Sequence, residues 1–167
     1  MAETDEVREG YHLERPNREK ASSRLTKLVV ILLLLASAGL ILIVTIGGWA
    51  KLTGGKPMAI AYIAVYLLMA FFVLRWNRGV LPLAAALAII LGIFAGIGGP
   101  EWFNRTGPGY EAPALPEQSI GFLTLIIVPV QVLLIIFAIR GFAQDWNTEV
   151  EVADGEQYRP DEQGQPA

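Results

Sequence analysis

Four long apolar runs, separated by polar segments, dominate the pattern of the chain. They lie at residues 28–49, 58–76, 80–99 and 119–139, and apart from Arg75 near the end of the second they contain no charged residue. Each run is close to the roughly 20 residues that a helix needs to cross a hydrocarbon core about 30 Å thick. The pattern therefore predicts four transmembrane helices.

The connections between the runs predict how the helices follow one another. The second and third runs are joined only by residues 75–79 (RWNRG), a length that reverses the chain and does little else. Residues 100–118 form a longer connection, in which four prolines and two glycines argue against a helix. We predict an all-α membrane protein with four transmembrane helices in an up-down bundle, short connections, and a longer outer loop at 100–118.

The two tails are polar, and we predict that both are disordered. Residues 1–27 mix six acidic with six basic side chains and offer few apolar anchors, although a short interfacial helix around 18–27 is an alternative. Residues 141–167 carry seven acidic residues against Arg159 alone. Within this tail, residues 148–152 alternate between polar and apolar positions, a pattern compatible with a short strand.

Composition supports the membrane class and excludes several chemistries. Of the 167 residues, 53% are hydrophobic and the mean hydropathy is +0.46, too apolar for a soluble domain of this length. The net charge of −3 belongs to the tails, and it gives no reason to expect nucleic acid as a partner. The absence of cysteine excludes disulfides, thiolate metal sites and iron–sulfur ligation by this chain.

The distribution of basic residues predicts the orientation. Ten lysines and arginines lie in the two tails, in the 75–79 turn and at Arg140 directly before the C-terminal tail, whereas the opposite side has only Lys51, Lys56 and Arg105. Positive charge is enriched on the cytoplasmic side of membrane proteins, so we expect both termini in the cytoplasm. We expect an integral cell-membrane protein, and the simple topology suits a bacterial cytoplasmic membrane.

Small residues recur every fourth position in the third run, at Ala84, Ala88, Gly92 and Gly96. This spacing places them in one stripe along a helix, and such a stripe lets another backbone approach closely. The stripe packs either against another helix of the same chain or against a second membrane protein, and the sequence leaves both interpretations open.

Uncharged polar residues are the candidates for a site inside the membrane. Gln131, two residues after Pro129, must find hydrogen-bond partners in hydrocarbon, and Tyr62, Tyr66 and Thr124 supply hydroxyl groups at similar depth. We expect Gln131 to bond to a hydroxyl or backbone group of a neighbouring helix, with a substrate contact as the alternative.

No catalytic or metal-binding pattern is present in the sequence. The single histidine, His12, lies in the N-terminal tail, and the carboxylates of the outer loop have no metal-ligand spacing. We therefore expect no enzymatic activity, no cofactor and no metal.

These features favour a non-catalytic accessory, assembly or stabilising subunit of a larger membrane complex. Its expected partners are the lipid bilayer and either other membrane subunits or further copies of the chain. One alternative is a small transporter or lipid-handling protein for a neutral or apolar solute, because an uncharged interior binds ions poorly. Another is a membrane sensor or regulator that binds a partner through its acidic C-terminal tail.

Overall fold

The computed structural model describes residues 10–52, 54–104 and 113–157, and it is 74% helical. Four helices are long and apolar enough to span a membrane. They are α2 at Ala21–Gly47, α3 at Lys56–Leu74, α4 at Leu81–Phe103 and α5 at Glu117–Ala143. A single helical turn at Arg78–Val80 precedes α4. The membrane-embedded, helical class expected from the apolar runs is confirmed at this level.

Three helices extend beyond the predicted spans. Helix α2 begins at Ala21, seven residues before the apolar run, and α5 continues to Ala143. Helix α4 passes through Pro100 and ends at Phe103, so the loop predicted at 100–118 starts later. A proline in the last helical turn removes one hydrogen bond, to the carbonyl of Gly96, and the helix tolerates this loss near its end. Residues 105–112 of the predicted outer loop lie outside the described part of the chain.

The four long helices do not pack equally against one another. The most extensive contact is between α4 and α5, and α2 packs against both α3 and α5. Helices α3 and α4, although consecutive, make few direct contacts. The helices therefore pack side by side in the order α3, α2, α5, α4, and a cleft separates α3 from α4.

The small-residue stripe of α4 faces α5 of the same chain. Ala84 and Ala88 are completely buried. A Cβ atom added to Gly92 would lie 3.6 Å from the Cβ of Gln131, which is an ordinary packing distance. Ala84, Ala88 and Gly92 thus pack within the chain, whereas Gly96 is exposed. Contact of the stripe with a second membrane protein stays a prediction.

A close approach of α4 and α5 lies beyond the stripe, at Gly99 and Gly121. A Cβ atom on Gly121 would lie 3.1 Å from the carbonyl oxygen of Gly99 and 3.0 Å from the Phe103 ring. A Cβ atom on Gly99 would lie 2.6 Å from the nearest side-chain carbon of Leu125. A larger residue at either position requires a shift of its neighbours, which are the Leu125 side chain for Gly99 and the Phe103 ring and Gly99 carbonyl for Gly121.

The two tails meet at one end of the bundle in a small folded unit, which we call the cap. It consists of strand β1 at Tyr11–Glu14, helix α1 at Pro16–Glu19 and strand β2 at Val150–Ala153, together with the connection from α5 to β2. The strands pair antiparallel, with Tyr11 opposite Ala153 and Glu14 opposite Val150. The prediction that the tails 1–27 and 141–167 are disordered is therefore wrong for the described residues 10–27 and 141–157. The remaining residues, 1–9 and 158–167, lie outside the description.

Polar contacts between the two chain ends hold the cap together. The guanidinium of Arg18 donates to the Trp146 carbonyl at 2.9 Å and to the Asn147 side chain at 2.9 Å. The Asn17 amide donates to the Asp145 carbonyl at 3.0 Å, and Arg15 forms an ion pair with Glu149. Each tail alone lacks a hydrophobic core. The tails become ordered because each supplies the hydrogen-bond partners of the other.

Trp146 attaches the cap to the helices. Its side chain is completely buried and meets Trp76 edge to face, with ring centroids 5.4 Å apart. Its ring N–H donates to Gln144, whose amide in turn donates to Thr26 at 3.1 Å. The cap and the ends of α2, α3 and α5 thus share one packed cluster, centred on an aromatic pair that contributes about 1 kcal/mol beyond simple burial.

His12 introduces a pH-sensitive contact into the cap. Its imidazole bonds Glu14 on the same strand and Asp154 beyond the partner strand, each at 3.2 Å. The hydrogen bond with the Glu14 carboxylate raises the pKa of His12 above its ordinary value, and Asp154 adds to this effect. The charged imidazolium is therefore the form that the folded cap favours.

We predict that Gly99→Ala and Gly121→Ala destabilise the helical domain by about 1–3 kcal/mol, because each added methyl group overpacks the contact between α4 and α5. The measurement is thermal unfolding of the purified protein in a mild detergent. Gly98→Ala is the matched control, because a Cβ atom at that position meets no atom within 4 Å. Equal stability of Gly121→Ala and Gly98→Ala would contradict the close approach.

We also predict that the pairing of β1 with β2 weakens as the pH rises above the ordinary histidine pKa of about 6.5. The raised pKa of His12 stabilises the pair below the ordinary histidine pKa, and this contribution is lost as the pH passes through the folded-state value. Because the chain contains no cysteine, nitroxide labels can be placed at Leu13→Cys and Glu151→Cys, which are directly opposite in the strand register. Dipolar broadening between the labels should decrease at high pH.

The control for this titration is His12→Gln in the same doubly labelled protein. Its broadening should not depend on pH in the range where histidine titrates. A pH response that persists in His12→Gln would show that the imidazole does not control the pairing of the strands.

Candidate functional site

A chain of three buried polar side chains crosses the middle of the helical domain. The Tyr66 hydroxyl of α3 donates to the Gln131 carbonyl oxygen of α5 at 2.9 Å. The Gln131 amide nitrogen donates to the Ser37 hydroxyl of α2 at 2.9 Å, and Ser37 donates to the Leu33 carbonyl of its own helix at 2.7 Å. All three side chains are at most 1% exposed. We call Ser37, Tyr66 and Gln131 the polar triad.

The local sequence explains why the triad forms. Each member lies on the buried face of its helix, and Gln131 follows Pro129, which cannot donate a backbone hydrogen bond. An amide group in hydrocarbon loses several kcal/mol if it stays unpaired, so it is stable only where other helices offer partners. Here the oxygen of the Gln131 amide group accepts from α3, and its nitrogen donates to α2.

The other two predicted polar residues do not join the triad. Tyr62 lies one turn before Tyr66, its ring 5.7 Å away and edge to face, and its hydroxyl donates to the Leu87 carbonyl of α4 at 3.4 Å. Thr124 donates to the Ile120 carbonyl of its own helix at 2.7 Å. Of the four predicted positions, the structure joins Gln131 and Tyr66. The third partner, Ser37, was not among the candidates, because a serine in an apolar helix commonly bonds to its own backbone.

Tyr62 and Thr124 instead line a cavity of about 210 Å³ in the cleft between α3 and α4. Its wall is mainly aliphatic and aromatic and includes residues of all four long helices: Ile41, Thr45, Met58, Phe94, Trp102 and Ile127. The hydroxyl of Thr45 is already bonded to the Ile41 carbonyl at 2.6 Å. The cavity thus offers mostly apolar contacts to an occupant.

An ion pair lies near the mouth of this cavity, at the end of the helices opposite the cap. Lys51, in the turn after α2, contacts Glu117, the first residue of α5, at 2.5 Å. The Lys51 side chain is 4% exposed and that of Glu117 23%. Breaking a buried pair leaves an uncompensated charge, so this contact fixes the α2–α3 turn against α5. The two residues are 66 positions apart, and no sequence pattern links them.

The described residues contain no group of three histidine, cysteine, aspartate or glutamate side chains that could hold a metal ion. His12 lies in the cap, outside the four long helices, and its ring nitrogens face carboxylates. Within the described part of the chain, the hydroxyls of Thr26, Ser37, Thr45 and Thr124 donate to backbone carbonyls of their own helices, and the Ser23 hydroxyl has no hydrogen-bond partner.

Comparison with models of protein families, with curated proteins and with solved structures gives no match for this chain.

We predict that Gln131→Leu lowers the stability of the helical domain by about 1–2 kcal/mol. The change removes two interhelical hydrogen bonds, each worth about 0.6 kcal/mol on average in a membrane protein, and leaves the buried Tyr66 hydroxyl without its acceptor. Thermal unfolding in detergent measures the effect. Thr124→Val is the matched control, because Thr124 bonds only within its own helix. A smaller loss in Gln131→Leu than in Thr124→Val would mean that the triad does not stabilise the fold.

Proposed function

We propose that this chain is a non-catalytic multi-pass membrane protein that serves as an accessory, assembly or stabilising subunit of a larger membrane complex. The observation that carries the proposal is the cap. It is an ordered polar surface built from both chain ends, and it is fixed to the helices by Trp146 and by Arg18. A surface of this kind suits lasting contact with a partner better than a pair of independent tails does.

The polar triad supports the same proposal. Gln131 uses both its oxygen and its nitrogen in bonds to Tyr66 and Ser37, so its role in this geometry is to hold three helices together. Ion pathways through membranes generally require ionisable side chains in the spans. The charged residues of the long helices lie near their ends, at Arg24, Lys27, Lys56, Glu101, Glu117 and Arg140.

We further propose that the helices form an up-down bundle with both termini in the cytoplasm of a bacterial cell. The excess of ten basic residues over three supports this orientation. Pairing of β1 with β2 also brings the two chain ends to the same end of the helices, as four spans require.

A second candidate function is the handling of a neutral or apolar solute or a lipid tail. The supporting observation is the 210 Å³ cavity between α3 and α4, whose wall is mostly apolar and which lies at the depth of the long helices.

Regulation through the acidic C-terminal tail has less support, because Asp145 and Glu149 already pair with Arg78 and Arg15.

We predict that the tagged protein, purified from its own membranes in mild detergents, retains larger membrane subunits in fixed stoichiometry. Native gels and mass spectrometry of the eluate measure this retention. Arg15→Ala combined with Arg18→Ala removes cap contacts and should reduce the retained subunits severalfold, whereas Lys56→Gln, at the opposite end of the helices, should not.

Migration as a lone monomer or small oligomer in every detergent would contradict the accessory role and favour solute handling. Retention of partners by both variants would keep the subunit role but exclude the cap as the contact surface.

A further inference from the structure

A groove with basic and apolar walls lies between α2 and α3, beside the cap. Its volume is about 410 Å³. It is lined by two cations, one tryptophan and three aliphatic residues: Arg24, Lys27, Leu28, Ile31, Leu74 and Trp76. We call it the basic groove. It is separate from the polar triad and from the cavity between α3 and α4.

The two cations of the basic groove share one face of α2. Arg24 and Lys27 are three residues apart in the first two turns, so their side chains are neighbours. The Lys27 ammonium lies 4.0 Å from the centre of the Trp76 ring, which holds it at the rim of the groove. Arg18 approaches the same ring at 5.8 Å. The positive charge is therefore concentrated and partly fixed in position.

These two cations differ from three other basic residues in their partners. Arg15, Lys51 and Arg78 each form an ion pair with a carboxylate. Among the described residues, no ion pair joins Arg24 or Lys27 to an acidic side chain, and none of the six lining residues is acidic. The groove thus presents two positive charges that the described part of the protein does not neutralise.

The floor of the basic groove is apolar and open to the surroundings. Leu28 and Leu74 are 53% and 58% exposed, and Ile31 is half-buried deeper along α2. Arg24 comes first along α2, nearest the polar end, and Ile31 lies two turns further into the apolar span. Charge at one end and aliphatic surface at the other match an amphipathic ligand with an anionic head and a hydrocarbon tail.

We propose that the basic groove binds an anionic phospholipid from the leaflet on the cap side. The phosphodiester contacts Arg24 and Lys27, and one acyl chain lies on Leu28, Ile31 and Leu74. Basic pockets between transmembrane helices are a recurrent way of holding phospholipid head groups. The apolar floor selects a lipid over a soluble phosphate, because a soluble anion would leave that floor uncovered.

The test compares phosphatidylglycerol with phosphatidylcholine, each added to the purified protein in a neutral detergent. The shift in unfolding temperature measures stabilisation, and native mass spectrometry measures lipid binding. We expect phosphatidylglycerol to bind with clear preference. Arg24→Gln should weaken its apparent affinity about fivefold, as expected for one basic residue near an anionic lipid surface. Arg24→Gln combined with Lys27→Gln should weaken it more than tenfold.

Arg140→Gln is the matched control, because it removes one charge at the same end of the helices but outside the groove. It should bind the lipid like the unaltered protein. An equal loss in Arg140→Gln would overturn the proposal in favour of diffuse surface attraction. If Lys27→Gln disturbs Trp76 and lowers the stability of the lipid-free protein, the single variant Arg24→Gln tests the proposal, because Arg24 is exposed.

Glycerophosphoglycerol at the same concentration is the second control. It carries the same phosphodiester as phosphatidylglycerol without acyl chains, and it should not stabilise the protein. Stabilisation equal to that by phosphatidylglycerol would show a simple anion site and overturn the proposal, as would equal stabilisation by the two phospholipids.

Discussion

The hydrogen bonds of Gln131 are the contacts on which the arrangement of the helices depends. Helix α3 packs on α2, makes few contacts with α4, and reaches α5 through Tyr66. Apolar side chains gain little from one another when lipid is the alternative neighbour, so the directional bonds decide which helices stay together. One amide group thereby connects three of the four long helices.

The position of the triad also explains the cleft between α3 and α4. Tyr66 points toward α5, and α2 lies between α3 and α5 in the packing order. Helix α4 is held on the far side of α5 by the small residues of its stripe and by the close approach of Gly99 and Gly121. With α3 and α4 each attached to a different neighbour, the space between them is left to the apolar cavity and to a few contacts, among them the hydrogen bond from Tyr62 to Leu87. The cleft therefore follows from the two most extensive helix contacts in the chain, α4 with α5 and α2 with α3.

Sequence patterns predicted the long helices well because each is defined by its own residues. The apolar runs located all four, and the need of Gln131 for a partner in hydrocarbon pointed to a bond between helices. The identity of that partner was only partly predictable. Tyr66 was a candidate, whereas Ser37, 94 positions away, has an equally good acceptor in its own helix.

The cap shows where local reasoning fails. The alternation at 148–152 was compatible with a strand, but a strand of four residues has no stability without a partner. That partner, Tyr11–Glu14, lies almost the whole length of the chain away, in a segment whose mixed charges favour disorder when it is considered alone. Its order depends on Arg15, Asn17 and Arg18 meeting the residues after α5, a long-range property that composition does not encode.

Two lysine–tryptophan pairs relate this architecture to the thickness of a membrane. Lys27 lies over Trp76 at the cap end, and Lys56 lies over Trp49 at the opposite end, 4.5 Å from the ring centre. Helix α3, with 19 residues, is about 28 Å long and connects the two levels. That length matches a hydrocarbon core of about 30 Å, and tryptophan and lysine are the residues that prefer its boundaries.

Helices α2 and α5 have 27 residues each and are about 40 Å long, so they exceed the same core. Their extra turns reach the head-group region, and these turns carry Arg24, Glu117 and Arg140. At the cap end the extra turns of both helices also support Trp146, through Thr26 on one side and Gly141 on the other. Because α2 and α5 are longer than a hydrocarbon core of about 30 Å requires, their additional turns are available to support the polar contacts of the cap.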